Sequence, residues 1–128
     1  MNLLLDTHIL LWAAAEPEKL PSKAVAYLEQ PDNSLFFSAA SIWEVSLKSG
    51  LGRPDFKVEP SLLRRGLIDA GYKELRVGGE HATEVLRLPD IHKDPFDRML
   101  LAQAMVEGFL LVTSDGILAN YPGPVAIV

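Results

Sequence analysis

Leu3-Leu4-Leu5-Asp6-Thr7-His8 opens the chain with three consecutive apolar residues that stop at an acid. A run this short, at the very start, suits a strand buried on both faces. The Leu- and Ala-rich stretch from Thr7 to Ala15, ending near Glu16-Pro17, then reads as a helix. The same unit recurs. Leu35-Phe36-Phe37, bounded by Asp32-Asn33 and Ser38, precedes a helical stretch from Ala39 to Ser49 that Gly50 and Gly52 close. Phe109 to Thr113 is a third run of the buried-strand type, ended by the turn Ser114-Asp115-Gly116.

Between these units the spacing predicts helices over Ser22 to Gln30, between two prolines, and over Ser61 to Ala70, stopped by Gly71. A weaker strand is predicted from Tyr72 to Val77 and an amphipathic helix from Glu80 to Leu88, ending at Pro89. Pro95 opens a strongly apolar helix that runs to Glu107 and closes at Gly108, and Val125 to Val128 forms a last edge strand. Short strands alternating with helices give an α/β fold with a mostly parallel central sheet covered by helices on both faces. In such sheets the ligand site lies beyond the carboxyl ends of the strands, where strand order reverses.

A length of 128 residues fits a single domain spanning 1–128, and 48% hydrophobic against 23% charged residues excludes a disordered or fibrous chain. The absence of cysteine excludes disulfides, thiolate nucleophiles and Cys-ligated metal or cluster sites. The leading residues carry no basic stretch, and the longest early apolar run, Ile9 to Ala15, is far below the roughly 20 residues a spanning helix needs. A soluble, cytoplasmic protein with no membrane partner is expected.

Asp6 ends the first strand and Asp115 follows the Phe109–Thr113 strand, so both carboxylates emerge on one edge of the sheet. Glu44 falls in or near the first turn of the helix after Leu35–Phe37. Asp97 lies in the first turn of the helix after Pro95 and shares a face with Leu100, Leu101 and Ala104, so it points inward. Converging carboxylates repel one another, and a hard divalent cation, Mg²⁺ or Mn²⁺, neutralises them. Twelve Lys and Arg against seventeen Asp and Glu give a net charge of −5, which by itself argues against a polyanion partner. Setting the four acids aside leaves twelve bases against thirteen acids, a balance of −1, so the acidity belongs to the proposed site and no longer excludes one. Seven bases (Lys48, Arg53, Lys57, Arg64, Arg65, Lys73, Arg76) face four acids between positions 48 and 76, a surface that can track phosphates or serve as a solvated face.

Each acid also has a local role open to it. Asp6 can cap the helix at Thr7, Asp94 the helix at Pro95, with Asp97 favourable to its dipole. Ser41-Ile42-Trp43-Glu44 matches a capping box, and Ser114-Asp115-Gly116 is turn chemistry. The ordered set of four outweighs these single roles. No phosphate-binding glycine loop, dinucleotide fingerprint or nucleophile elbow is present. His8, His81 and His92 lack metal-ligand spacing and read as satisfied or exposed residues. Trp12 and Trp43 read as core or interface residues.

Leu3 to His8, Ser41-Ile42-Trp43-Glu44-Val45, His92 to Ala104 (with Asp94-Pro95-Phe96-Asp97-Arg98) and Leu111 to Asp115 resemble the four acidic blocks of PIN-domain ribonucleases. The length and the Asp-Thr-His and Asp-Pro-Phe-Asp-Arg forms most resemble VapC toxins of type II toxin–antitoxin systems. The resemblance covers nearly the whole chain. It implies a three-layer α/β/α PIN-like fold, a Mg²⁺- or Mn²⁺-dependent endoribonuclease, a homodimer, and an antitoxin protein whose tail blocks the cleft. By position, Asp6, Glu44, Asp97 and Asp115 take the family's catalytic and metal-binding places. Asp94 is an outer-shell ligand or, preferably, a helix cap, and Thr7, Thr113 and Ser114 orient carboxylates or water, or hydrogen-bond turns. Ser114 departs from the basic or polar residue many relatives carry before the last acid. The expected reaction is metal-assisted hydrolysis of an RNA phosphodiester with water as nucleophile. Two other readings stand beside it: a non-catalytic PIN-like binding or assembly module, and a metal-dependent DNase or flap-type nuclease.

Overall fold

Alternation along the central strands sorts the core into two layers. In the computed structural model, which describes residues 1–128, strand β1 (Asn2–Leu5) sends Leu3 and Leu5 into one cluster and Leu4 into the other. Strand β2 (Ser34–Ser38) pairs with β1, as does a later strand, Leu110–Thr113, which splits Val112 from Leu111 in the same way. Period-two geometry demands this split, and a strand apolar at every position is the form that two covering layers stabilise.

Helices α1 (Thr7–Ala15), α2 (Ser22–Glu29), α3 (Ala39–Ser49) and α4 (Pro60–Asp69) supply Ile9, Leu10, Ala24, Val45, Leu63 and Leu67 to the first layer. Strand β3 (Lys73–Leu75) and helices α5 (Gly79–Glu84) and α6 (Pro95–Glu107) follow, then β4 (Leu110–Thr113) and β5 (Val125–Ile127). Leu100, Leu101 and Ala104 of α6 fill the second layer with Leu88, Leu118 and Tyr121. Each leucine buried this fully contributes roughly 1.5–3 kcal/mol.

All five strands are parallel, in the order β3-β2-β1-β4-β5. The chain builds outward from β1 through β2 to β3, then returns to the other side of β1 for β4 and β5. Strand order therefore reverses between β1 and β4, and the crevice beyond their carboxyl ends is where an open α/β sheet places its ligand. A buried polar tie holds α6 against this edge: Ser38 Oγ donates to Gln103 Oε1 at 2.6 Å, and Gln103 Nε2 reaches the Arg76 carbonyl at 3.3 Å. No helix is long and apolar enough to cross a membrane.

The strand–helix alternation is as expected, with two local corrections. The Glu80–Leu88 helix divides into α5 and a 3₁₀ turn at Val85–Arg87. Pro89 forces Leu88 into extended backbone, and Arg98 takes the carbonyls of Val85 and Pro89. The capping box at Ser41 does not form, because β2 passes straight into α3 and Ser38 is the cap, accepting from the Ala40 amide at 3.0 Å. Glu44 consequently lies in the second turn of α3, next to the first. Of the two places expected for Trp43, the core is excluded by its 61% exposure, because Ile42 and Val45 take the inward positions of that turn.

Candidate active site

Asp6 sits one residue past β1 and caps α1, its Oδ1 accepting from the Ile9 amide at 2.9 Å. Its backbone amide continues the ladder to the Val112 carbonyl at 3.0 Å, which locks it to the end of β4. Across the switch point, buried Thr113 donates its hydroxyl to Asp6 Oδ2 and accepts from the Asp115 amide at 3.0 Å. One threonine at the end of β4 thus sets two of the four acids. Asp115 in turn caps the 3₁₀ turn at Gly116–Asn120 through the Ile117 amide.

Asp97 arrives from the first turn of α6, which Pro95 opens and Asp94 caps, accepting from the Phe96 and Asp97 amides at 2.8 and 3.3 Å. The cap role preferred for Asp94 is the one observed. Glu44 enters from α3, nearly buried, with both oxygens taken: Oε1 accepts from the Thr7 hydroxyl and Oε2 from Lys48 Nζ, each at 2.7 Å. Thr7 has a single proton and spends it on the carboxylate, so the Ser41 hydroxyl 2.9 Å away donates to Thr7.

These groups line one cleft of about 180 Å³, together with His8, His92 and Asp94, and no apolar residue borders it. All four acids come together there. Ser114 brings no hydroxyl to any of them. Of the seven bases between positions 48 and 76, only Lys48 borders the cleft; Arg64 is spent on Glu74 and Lys73 lies over the Phe36 ring.

The electrostatics are those of excess negative charge. Burial, and then repulsion from Asp94, Asp6 and Asp115, pushes the Asp97 carboxyl up to about 7 against the pull of His92. Burial also raises Asp6, although the Thr113 hydroxyl and the Ile9 amide work against it. For Asp115, partial burial is outweighed by the hydrogen bonds from His92 and the Ile117 amide, and its carboxyl is held below the ordinary range.

His92 is the residue that sequence reasoning missed. Its Nδ1 accepts from the Asp94 amide at 3.0 Å, which leaves the ring proton on Nε2. That nitrogen lies 2.7 Å from Asp115 Oδ2 and 3.2 Å from Asp97 Oδ2. The three side chains form a group whose candidate ligand atoms lie within 4.8 Å of one another. Only one cue was legible: His92 precedes a helix that starts at the active edge. Its approach to Asp115, 23 residues away, is tertiary.

The residues present fit a hard divalent cation. Asp6, Asp97 and Asp115 each retain oxygen lone pairs facing a common cleft, and the raised proton affinity of Asp97 is that of a carboxylate lacking a counter-charge. His92 presents an N–H to the acids and acts as a donor in this arrangement, not as a ligand. Glu44 lines the same cleft and, like Asp6, accepts one hydrogen bond on each oxygen, from Thr7 and Lys48, so it too keeps lone pairs for a cation.

A family model described as PIN domain matches residues 3–124. The chain is 29% identical over 129 residues to "Ribonuclease VapC22" of Mycobacterium tuberculosis, covering 98% of both chains. Among solved structures it resembles VapBC2 from Rickettsia felis bound to a DNA fragment from their promoter, with a TM-score of 0.75, 14% identity and coverage of 100% and 99%. It also resembles Mycobacterium tuberculosis VapC20, described as a sarcin-ricin loop cleaving toxin, with a TM-score of 0.60, 15% identity and coverage of 93% and 95%. At these identities the two structures share the three-layer fold.

Proposed function

Because the chain belongs to the PIN-domain family, we propose that it is an endoribonuclease, dependent on Mg²⁺ or Mn²⁺, that acts as the toxin of a toxin–antitoxin pair. The full-length likeness to a protein named a ribonuclease supports the activity. The toxin–antitoxin complexes among its structural neighbours support a cognate antitoxin as partner. The observation that carries the reading is the meeting of Asp6, Asp97 and Asp115, from three separate elements, in one cleft at the switch point.

Asp6, Asp97 and Asp115, with Glu44 as a further oxygen donor, would hold the cation, which would supply Lewis acidity toward water and offset negative charge on the phosphate oxygens. Thr113 fixes the orientation of Asp6 and the start of the Asp115 turn. His92 holds a proton at Nε2 against Asp115 and keeps that carboxylate ionised. Thr7 and Lys48 pin Glu44, which braces the wall of the cleft formed by α3.

The test is cleavage of a labelled single-stranded RNA, with a DNA of matching sequence alongside, by the parent chain, Asp6→Asn and Asp97→Asn in Mg²⁺, Mn²⁺ or chelator. RNA cleavage confined to the cation-loaded parent is the expected result. Equal activity in all three proteins would overturn the assignment, and preferential cutting of the DNA would replace the substrate. A homodimer is expected in solution, with Trp43, Leu47 and Leu51 of the α3 region as exposed apolar surface for protein contacts. Sedimentation of the purified chain checks the mass.

A further inference from the structure

A nuclease cleft lined by five carboxylates has to admit a polyanion, and bound cations alone are not the only positive charge on hand. Lys48 is the single lysine or arginine among the nine residues that border the cleft. We infer that Lys48 contacts a phosphate of the nucleic-acid strand next to the reacting one, with Glu44 and Thr7 as the residues that position it; this rests on the nuclease reading above.

The geometry separates Lys48 from an ordinary surface lysine. Its ammonium is fixed 2.7 Å from Glu44 Oε2, one helical turn back on α3, and Glu44 is itself nearly buried and held from the other side by Thr7 of α1. The pair joins two helices that both start at the active edge of the sheet. A lysine ammonium has three protons. One goes to Glu44, no other protein acceptor takes the remaining two, and the side chain borders the cleft and is 37% exposed overall. A charged donor held rigid by a buried partner has lost its rotamer freedom before the ligand arrives, so less entropy is lost on contact. The other basic residues of the 48–76 segment lie away from the cleft, so the phosphate-tracking surface suggested by that segment contracts to one residue.

The probe is a fluorescently labelled single-stranded RNA of about 20 nucleotides and mixed sequence, titrated in Mg²⁺ at several salt concentrations. The protein is the full chain carrying Asp97→Asn to keep the RNA intact, alone or with Lys48→Gln, Lys48→Arg or Glu44→Gln. Lys48→Gln is expected to weaken binding about tenfold at low salt and to lower the slope of log affinity against log salt by about 0.7, the value for one phosphate contact on a single strand. Lys48→Arg restores the slope. Glu44→Gln breaks the ion pair but keeps the ammonium, so it keeps the slope, which separates phosphate contact from loss of a structural pair. On the cleaving chain with Asp97 intact, Lys48→Gln raises KM about tenfold and leaves kcat within about threefold.

An unchanged slope and KM for Lys48→Gln would make the lysine only the counter-ion of Glu44 and overturn the inference, with the nuclease reading intact. If the unsubstituted chain neither binds nor cuts RNA, both fall together.

Discussion

Helices α3 and α6 each border two neighbouring hollows of opposite character. On one side is the cleft of about 180 Å³, lined by charged and polar groups throughout. On the other is a groove of about 510 Å³ lined by Trp43, Phe96, Val77, Val85, Met99 and other almost wholly apolar side chains. The division runs between consecutive residues: Trp43 faces the groove and Glu44 the cleft, Phe96 the groove and Asp97 the cleft. Size and apolarity, the usual signs of a small-molecule pocket, point to the wrong hollow here. Chemistry on a phosphodiester needs fixed charge and hard oxygen donors, and these fit in the smaller space.

The largest effect that tests this division is on catalysis. Asp97→Asn is expected to reduce RNA cleavage in Mg²⁺ by at least about 10³-fold, whereas Trp43→Ala, one residue from Glu44, leaves the rate within about twofold. Initial rates on one labelled RNA measure both. Equal losses would erase the distinction between the hollows.

Next in size is Thr113→Val, which keeps the shape of a fully buried side chain but removes the donor to Asp6 and the acceptor for the Asp115 amide. Weaker Mn²⁺ binding by about 10–100-fold and a stability loss of about 1–3 kcal/mol are expected from calorimetry and thermal melts. Removal of bulk from the apolar groove changes Mn²⁺ affinity not at all.

A smaller effect distinguishes the cleft by pH. Asp97 titrates at about 7 in the folded chain against 3.8 for the free side chain, and Asp6 is shifted the same way. Between those pH values the folded chain binds protons that the unfolded chain releases, so in chelator stability falls as pH rises from about 4 to about 7. The contribution of the partly exposed Asp97 is about 1–2 kcal/mol after solvent screening. Saturating Mg²⁺ or Asp97→Asn should flatten this slope in urea melts. Asp115, held low by His92, acts oppositely, stabilising above its ordinary range and losing that contribution as pH falls below about 3.8.

The smallest expected effect is on stability in the groove. Trp43 is largely exposed and touches Phe96 edge-on at 5.3 Å, so Trp43→Ala changes the melting free energy of the isolated chain by less than about 1 kcal/mol. A larger loss would mean that the groove is a packed part of the core and not an open surface.

What was legible in the sequence follows the range of the interaction. Leu3-Leu4-Leu5, Phe36-Phe37 and Leu111-Val112 announced doubly covered strands, and Gly108, with φ of 72°, ended α6 where expected. The acids at strand ends were legible because chain direction in a parallel sheet fixes the edge on which each emerges. Where a residue's neighbours lie within a turn, local preference decided correctly for Asp6 and Asp94 as caps. It failed for Ser41, because continuity from β2 into α3 gave the cap to Ser38. For Trp43, expected in the core or at an interface, the 61% exposure excludes only the core.

The sequence by itself determined the three layers and the sheet edge at which Asp6 and Asp115 emerge, since apolar period and chain direction are properties of consecutive residues. Only the tertiary structure decided that His92 bridges Asp97 and Asp115, that Lys48 and Thr7 claim both oxygens of Glu44, and that one basic residue of seven reaches the cleft. Those contacts join side chains far apart in the chain or set the direction of long flexible ones, and packing of α1, α3 and α6 around the β1–β4 crevice is what fixes their distances.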